Sequence, residues 1–408
     1  MARQGVARML TEILEASHQT AMDQIPVLVR RCATYADLHE VMIYVTDLQQ
    51  RVLRPLTGHS EEAGTATAAD LAELQIGGTL AGRAFQEVRM LTGSGSGSSE
   101  RWWIPILDGT ERLGVLRVDA RGTGEDVRDA MRALVSVVAL LILSKREHSD
   151  TYARLVRTRP MKVDAEMQWH LTPPITFAGK GVVINGALEP AYEVGGDAFD
   201  YAISGDVVHL AVFDAMGHDI RAGLTANLAL ASGRNHRRQG AGLVETGDGI
   251  ERLLVEEFSD DVRFVTAILA ELDTSTGHFS WISRGHHAPV LIRGGRWVTG
   301  LGCPPAPPVG LDLGLDPPTV CTEHLEPGDR VLLYTDGITE ARDGSGRQFG
   351  LDRFVDFVIR SHADGLSVPE TLRRLIHSVL DHHGDRLQDD ATVLLVEWRG
   401  DAHQQLKV

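Results

Sequence analysis

From about residue 178 onward the chain is a succession of strand-length apolar runs: 181–190, 207–215, 263–273, 278–286, 289–293, 329–337 and 391–398. Helical patterns fall between some of them, notably at 220–236 and 352–362. This mixture predicts an α/β sandwich of two sheets with helices outside. Four acidic stretches sit where strand meets turn: GGD with Asp197, FDAMGHD with Asp214, YTDG with Asp336, and QDDAT with Asp389 and Asp390. Strand ends project side chains from a rigid scaffold, so residues distant in the chain can converge on one cleft.

Taken singly, each stretch reads as a plain turn, since Asp-Gly after a strand is a common bend. Taken together they pose an electrostatic problem, because gathered carboxylates repel one another unless a cation compensates them. Glycines let the backbone approach such a cation closely. An all-oxygen set without Cys or a suitable His pair selects magnesium or manganese over zinc.

The 408 residues predict two or three domains, and the formal net charge of -16 argues against a general grip on nucleic acid. Cys32, Cys303 and Cys321 are far apart and lack CxxC spacing, so neither a disulfide framework nor structural zinc is expected. They fit a reducing cytoplasm. None is followed by the Cys-x5-Arg pattern of a thiol-based phosphatase. The longest apolar run, at 133–143, is shorter than the roughly 20 residues that span a bilayer, and MARQGVARML does not read as a secretory signal.

The first part of the chain has a different pattern. Two helices are expected within 5–35, a hairpin from 41–47 and 51–58, a glycine-opened helix at 76–87, and two strands within 101–120 turning at Asp108-Gly109. GSGSGSS at 93–99 is expected to be a flexible loop with no phosphate-cradling Lys. The Trp102-Trp103 pair is read as buried rather than as a ligand pocket. One helix is expected from 125 to 155, because that segment contains no Pro or Gly. It would leave the domain as a signalling rod or dimer seam, or pack only on its own domain. A short helix at 165–174, stopped by Pro173-Pro174, would mark entry to the second domain.

The order helix, hairpin, helix, hairpin, long helix over residues 5–145 resembles a GAF domain, chiefly through AGRAFQE followed by IPI and LGVLRVD. Residues 178–398 resemble the metal-dependent PPM-type (type 2C) serine/threonine phosphatases, in the bacterial branch typified by the SpoIIE and RsbU regulators. The motifs are EVGGDAFD (193–200), VFDAMGHD (212–219), 264–292, PPVGL (307–311), LEPGDRVLLYTDGITEA (325–341), FG (349–350) and QDDATVLLV (388–396). The expected architecture is α/β (α+β): a GAF-like sensor at 1–145, a helical linker at 146–177, a PPM α-β-β-α sandwich at 178–399 and a tail at 400–408.

The resemblance implies two divalent ions, manganese or magnesium. Asp197 and the carbonyl of Ala215 would hold one, Asp336 and Asp389 the other, with Asp214 bridging. Asp389 is favoured over Asp390 because the family ligand lies three residues before the Thr that begins the last strand, here Thr392. Asp200 matches a recurrent acid of supporting role. Ala215 stands where many relatives have Gly, a change a backbone carbonyl tolerates; Asp219 replaces a usual Gly, and we read it as a helix cap. His218, His286 and His287 are weighed as proton donors and read instead as structural.

A water activated between the two ions would attack a phosphoserine or phosphothreonine ester. By resemblance the substrate is a regulatory phosphoprotein such as a STAS-class anti-sigma-factor antagonist, and the GAF-like domain would bias the enzyme through the connecting helix, either by an unknown small ligand or by rearrangement of a homodimer. The rival readings are a non-catalytic phosphoprotein-binding sensor or scaffold and a metal phosphodiesterase acting on a small nucleotide.

Overall fold

The computed structural model describes residues 2–58, 72–95, 99–179, 181–193, 195–217, 219–259, 261–298, 301–304, 306–383, 387 and 389–400. The chain forms two compact units, one over residues 1–160 and one from residue 161 on.

The first unit is built on a six-stranded antiparallel sheet. Its elements are α1 (Ala2–Ser17), α2 (Ile25–Ala33), β1 (Leu38–Thr46), β2 (Val52–Pro55), β3 (Leu74–Gln75), α3 (Leu80–Glu87), β4 (Leu91–Ser94), β5 (Glu100–Asp108), β6 (Glu111–Ala120), α4 (Glu125–Arg146) and α5 (Asp150–Val156). The strand order is β3-β2-β1-β6-β5-β4. One sheet face, with Val41, Ile43 and Val45 of β1, packs on apolar stripes of α1, α2 and α4. The other carries Tyr44 and Val115 against Phe85 of α3. Trp102 is buried in the first of these cores, and Trp103 packs against Tyr44 with ring centroids 5.8 Å apart. The flexible loop expected at 93–99 lies partly outside the described residues; Gly93 and Ser94 belong to β4.

The single helix expected over 125–155 is in fact two. α4 ends at Arg146, and the Ser149 hydroxyl accepts the Tyr152 N–H at 3.2 Å to start α5. A serine cap breaks the helix where no Pro or Gly signalled a stop. Neither helix leaves the unit: Leu134, Val138 and Ile142 of α4 and Val156 of α5 lie in the first unit's core. Arg54 also holds the Leu155 and Arg157 carbonyls, at 2.8 and 2.9 Å.

The second unit is a four-layer α-β-β-α sandwich. It runs α6 (Val163–Leu171), β7 (Thr176–Gly179), β8 (Val182–Glu189), β9 (Asp197–Ser204), β10 (Val207–Ala215), α7 (Ile220–Arg238), α8 (Leu243–Glu257), β11 (Val265–Asp273), β12 (His278–Arg284), β13 (Val290–Arg293) and β14 (Arg296–Val298). It continues with β15 (Cys321–His324), β16 (Arg330–Tyr334), α9 (Asp336–Glu340), α10 (Leu351–Ala363), α11 (Val368–His383) and β17 (Ala391–Trp398). One sheet has the order β15-β12-β11-β10-β9, the other β14-β13-β16-β17-β8-β7.

Period-two alternation builds the layers. Val208, Leu210 and Val212 of β10 and Ile268, Ala270 and Leu272 of β11 face inward to meet Val331, Leu333, Leu394 and Val396 of the other sheet. Alternate residues face out: Phe213 and Leu269 toward α7 and α8, and Leu332, Val393 and Leu395 toward α10 and α11. On α7 most of the buried residues are small, Ala222, Ala226 and Ala229 among them, which lets the helix lie close on the sheet. Strand β9 and helices α8 and α11 have no counterpart in the sequence reading.

Cys303 and Cys321 are joined in a disulfide with Cα atoms 5.9 Å apart, correcting the expectation that the cysteines stay unpaired. The loop after β14 folds back on edge strand β15 and brings together thiols 18 positions apart. Cys32 is free and buried. Among the described residues, no helix is long and apolar enough to cross a membrane.

Candidate active site

Four strand ends bring the predicted aspartates to one end of the sandwich. β9 begins with Asp197 and β10 closes with Asp214 and Ala215, and because the two strands are antiparallel, Asp197 is registered directly opposite Asp214. In the facing sheet β16 pairs with β17 in the same sense, Tyr334 opposite Val393, so Asp336 just after one and Asp389-Asp390 just before the other share an end.

Thr335 joins the two sheets at this point. Its hydroxyl donates to Asp197 Oδ2 at 2.6 Å and accepts the Thr392 N–H at 2.9 Å, while its own N–H donates to the Thr392 carbonyl at 3.0 Å. The Gly196 N–H donates to Asp390 Oδ2 at 2.5 Å. The paired glycines are a steric requirement of this arrangement: a Cβ on Gly195 would fall 1.7 Å from the Asp390 carboxyl carbon, and one on Gly196 2.5 Å from the Ala215 carbonyl oxygen. At Gly337 a Cβ would meet the Asp390 carbonyl oxygen at 1.7 Å.

The carboxylates sense one another strongly. Burial first, then the charges of Asp390 and Asp214, push the Asp197 carboxyl well above its ordinary range. Asp214 is pushed up to about 7 by burial and by Asp336, Asp389 and Asp390. Hard divalent cations are the partners that such uncompensated oxygen donors fit, so the residues present suit magnesium or manganese. Among the described residues no three acidic, histidine or cysteine side chains are already closed around a common point.

Asp390 was the residue the sequence reading set aside, yet it is the buried member of the pair, 5% exposed, while Asp389 is exposed. Its carboxylate accepts the Gly196 N–H, and its own N–H donates to Asp389 Oδ1 at 3.0 Å. Thr335, fully buried, was also missed; its position immediately before Asp336 in YTDG was the available signal.

The remaining candidates have structural explanations. Asp200 is held by Arg234 at 2.6 Å and Arg237 at 3.0 Å. Asp219 caps α7, accepting the Arg221 and Ala222 N–H groups at 3.1 and 3.0 Å. His286 Nε2 lies 3.0 Å from the Tyr334 carbonyl, so that nitrogen carries the hydrogen, and Nδ1 accepts from the Thr266 hydroxyl at 2.7 Å. Burial and the neighbouring His287 lower its pKa to about 3, which makes it a neutral cross-brace. His287 stacks on Tyr334, and His218 lies outside the described residues.

Residues 204–399 match the family model described as Stage II sporulation protein E (SpoIIE). The match begins after Asp197 and covers the segments carrying Asp214, Asp336 and Asp389. The chain is 24% identical over 243 residues to Protein IcfG of Synechocystis sp. (strain ATCC 27184 / PCC 6803 / Kazusa), an alignment covering 52% of this chain and 37% of that one. It is 23% identical over 281 residues to Phosphoserine phosphatase RsbU of Bacillus subtilis (strain 168), covering 67% of this chain and 80% of that one. Among solved structures, the SiaA-PP2C domain of Pseudomonas aeruginosa superposes with a TM-score of 0.47 at 19% identity, covering 57% of this chain and 94% of that one. Just under half of this chain, residues 204–399, is thus similar to the SpoIIE family, and the chain spans about a third of the length of the first of these relatives.

Proposed function

We propose that this protein is a metal-dependent serine/threonine phosphatase that hydrolyses phosphoserine or phosphothreonine on a regulatory protein. The observation that carries the reading is the placement of Asp197, Asp214, Asp336 and Asp389 at one end of two facing sheets. Asp197, Asp214 and the Ala215 carbonyl would hold one ion, and Asp214, Asp336 and Asp389 the second. Bound there, two manganese or magnesium ions would supply Lewis-acid polarisation of the phosphoryl group and activation of the attacking water.

The chain's own residues supply position and charge. Thr335 orients the Asp197 carboxylate, Asp390 fixes the Gly196 amide and with it the turn into β9, and the small residues Gly195 and Gly337 let the strand ends approach. No covalent phosphoenzyme is needed, since in-line attack requires placement and electrostatic stabilisation alone. The first unit, with its antiparallel sheet covered by helices on both faces, is read as a GAF-like sensor that regulates the second within a cytoplasmic homodimer. An anti-sigma-factor antagonist of the STAS class is the proposed substrate. The test is manganese-dependent phosphate release from a phosphoserine protein by wild type, Asp214→Asn and Asp336→Asn. Undiminished turnover in both variants would falsify the assignment.

A further inference from the structure

Helix α6 lies just before the sandwich in sequence, and three of its groups grip the segment that delivers Asp197. The Lys162 N–H, at its N-terminal edge, donates to the Tyr192 carbonyl at 3.1 Å, and Trp169 Nε1 donates to the Ala191 carbonyl at 2.7 Å. Gln168 goes further: its side-chain amide donates to the backbone carbonyl of Asp197 itself. At the end of the helix the Leu171 carbonyl accepts from Arg234 at 2.7 Å, and the same guanidinium binds Asp200, three residues beyond Asp197, at 2.6 Å. Both ends of 197–200 are therefore tied to α6.

Gln168 is 4% exposed and shares the buried face of α6 with Ala165. A buried amide is costly unless its hydrogen bonds are made, so its place here needs a reason that an apolar residue would not supply. The peptide plane whose carbonyl it holds includes the Asp197 Cα, so the grip fixes the point from which the carboxylate projects relative to Asp214 on the next strand.

We propose that Gln168 is a positioning residue for the metal centre, holding Asp197 in its ligating orientation from α6. This rests on the phosphatase reading above and adds a residue that none of the acidic motifs contains. Its consequence is that the metal affinity of the site depends on how α6 is seated, whatever seats it.

The experiment is calorimetric titration of manganese chloride into the metal-stripped full-length protein, with turnover measured as a function of manganese. Gln168→Met, which keeps length and removes the donor, is expected to weaken manganese binding about tenfold, with kcat at saturating manganese within about twofold of wild type. Gln168→Asn keeps the amide but cannot reach, and is expected to weaken binding alike. Wild-type affinity in either folded variant overturns the proposal, and failure of both to fold also counts against it by assigning Gln168 to the scaffold. If wild type itself binds no manganese, or Asp214→Asn binds it equally well, the metal-centre reading falls instead.

Discussion

The Thr335 hydroxyl donates to Asp197 Oδ2 at 2.6 Å, a hydrogen bond across 138 positions of sequence that links the last turn of one sheet to the first residue of a strand in the other. The same oxygen accepts the Thr392 N–H, so a single buried side chain satisfies a carboxylate and a backbone donor at once. Thr335→Val keeps the shape and removes both bonds. We expect a stability loss of about 2–3 kcal/mol, from one charged and one neutral hydrogen bond. The manganese concentration for half-maximal activity should rise at least tenfold. Thr335→Ser retains the hydroxyl and should recover most of the metal response, leaving only a methyl-sized defect of about 1 kcal/mol. Equal manganese dependence in wild type and Thr335→Val would remove Thr335 from the site.

The layers of the second unit were legible because they follow from alternation: β10, β11, β16 and β17 each read as apolar runs, and each is a strand with faces toward two cores. The aspartates were legible because strand ends in such a sandwich have few places to go. Asp390, Thr335 and Gln168 were not, since their roles depend on which backbone group arrives opposite them from a distant segment. Gly196 reaches Asp390 across 194 positions and Gln168 reaches Asp197 across 29, and no local pattern encodes either meeting. β9 escaped notice for a related reason. Its start, DAFD, reads as a polar turn, but Asp197 and Asp200 are buried there because Thr335 and two arginines receive them.

The metal-free protein should show a pH dependence traceable to Asp214. Its carboxyl is raised from 3.8 to about 7, so across that window the folded state keeps a proton that the unfolded chain has lost. Stability therefore falls as pH rises through the window. Asp197, also raised, adds in the same sense. His286 opposes them, because a ring lowered from 6.5 to about 3 is neutral when folded and charged when unfolded, which makes stability rise with pH over that interval. The informative comparison is wild type against Asp214→Asn in EDTA, by thermal melting from pH 4 to 8. The variant should lose a falling component of the wild-type profile, and saturating manganese should flatten the wild-type curve toward it. Superimposable metal-free profiles would show that Asp214 does not carry the raised proton.

Asp219 offers a control that separates helix capping from chemistry. It stands at the start of α7, accepts two backbone N–H groups, and its carboxyl is held below the ordinary range chiefly by the Ala222 N–H. Asp219→Ala should lower the melting temperature measurably through the lost cap and leave manganese affinity within about twofold of wild type. Asp219→Ser should restore most of the stability. A variant of native stability whose turnover collapses would place Asp219 in the reaction instead.

The Cys303–Cys321 disulfide closes a loop that is already anchored elsewhere. Val309 exchanges two backbone hydrogen bonds with Val265, both 2.9 Å, beside the end of β10. Glu251 receives the Gly310 and Asp312 N–H groups at 2.9 and 2.6 Å, and Arg284 holds the Pro307 carbonyl at 3.0 Å while pairing with Glu251 at 2.8 Å. These contacts do not involve the sulfurs, so reducing the bond leaves the folded loop largely in place and acts on the unfolded chain. Freeing a loop of 18 positions should cost about 3 kcal/mol in the chain-entropy estimate. Under a thiol-free phosphine reductant the second unit should melt roughly 5–10 °C lower, with activity unchanged at temperatures well below the transition. The double variant Cys303→Ser/Cys321→Ser should melt at that lower temperature and not respond to reductant. A wild-type melting point indifferent to reduction would mean that the cross-link contributes nothing to the fold, and a reductant-dependent loss of activity in the cold would mean that the loop, despite its anchors, depends on the bond to support the start of β11.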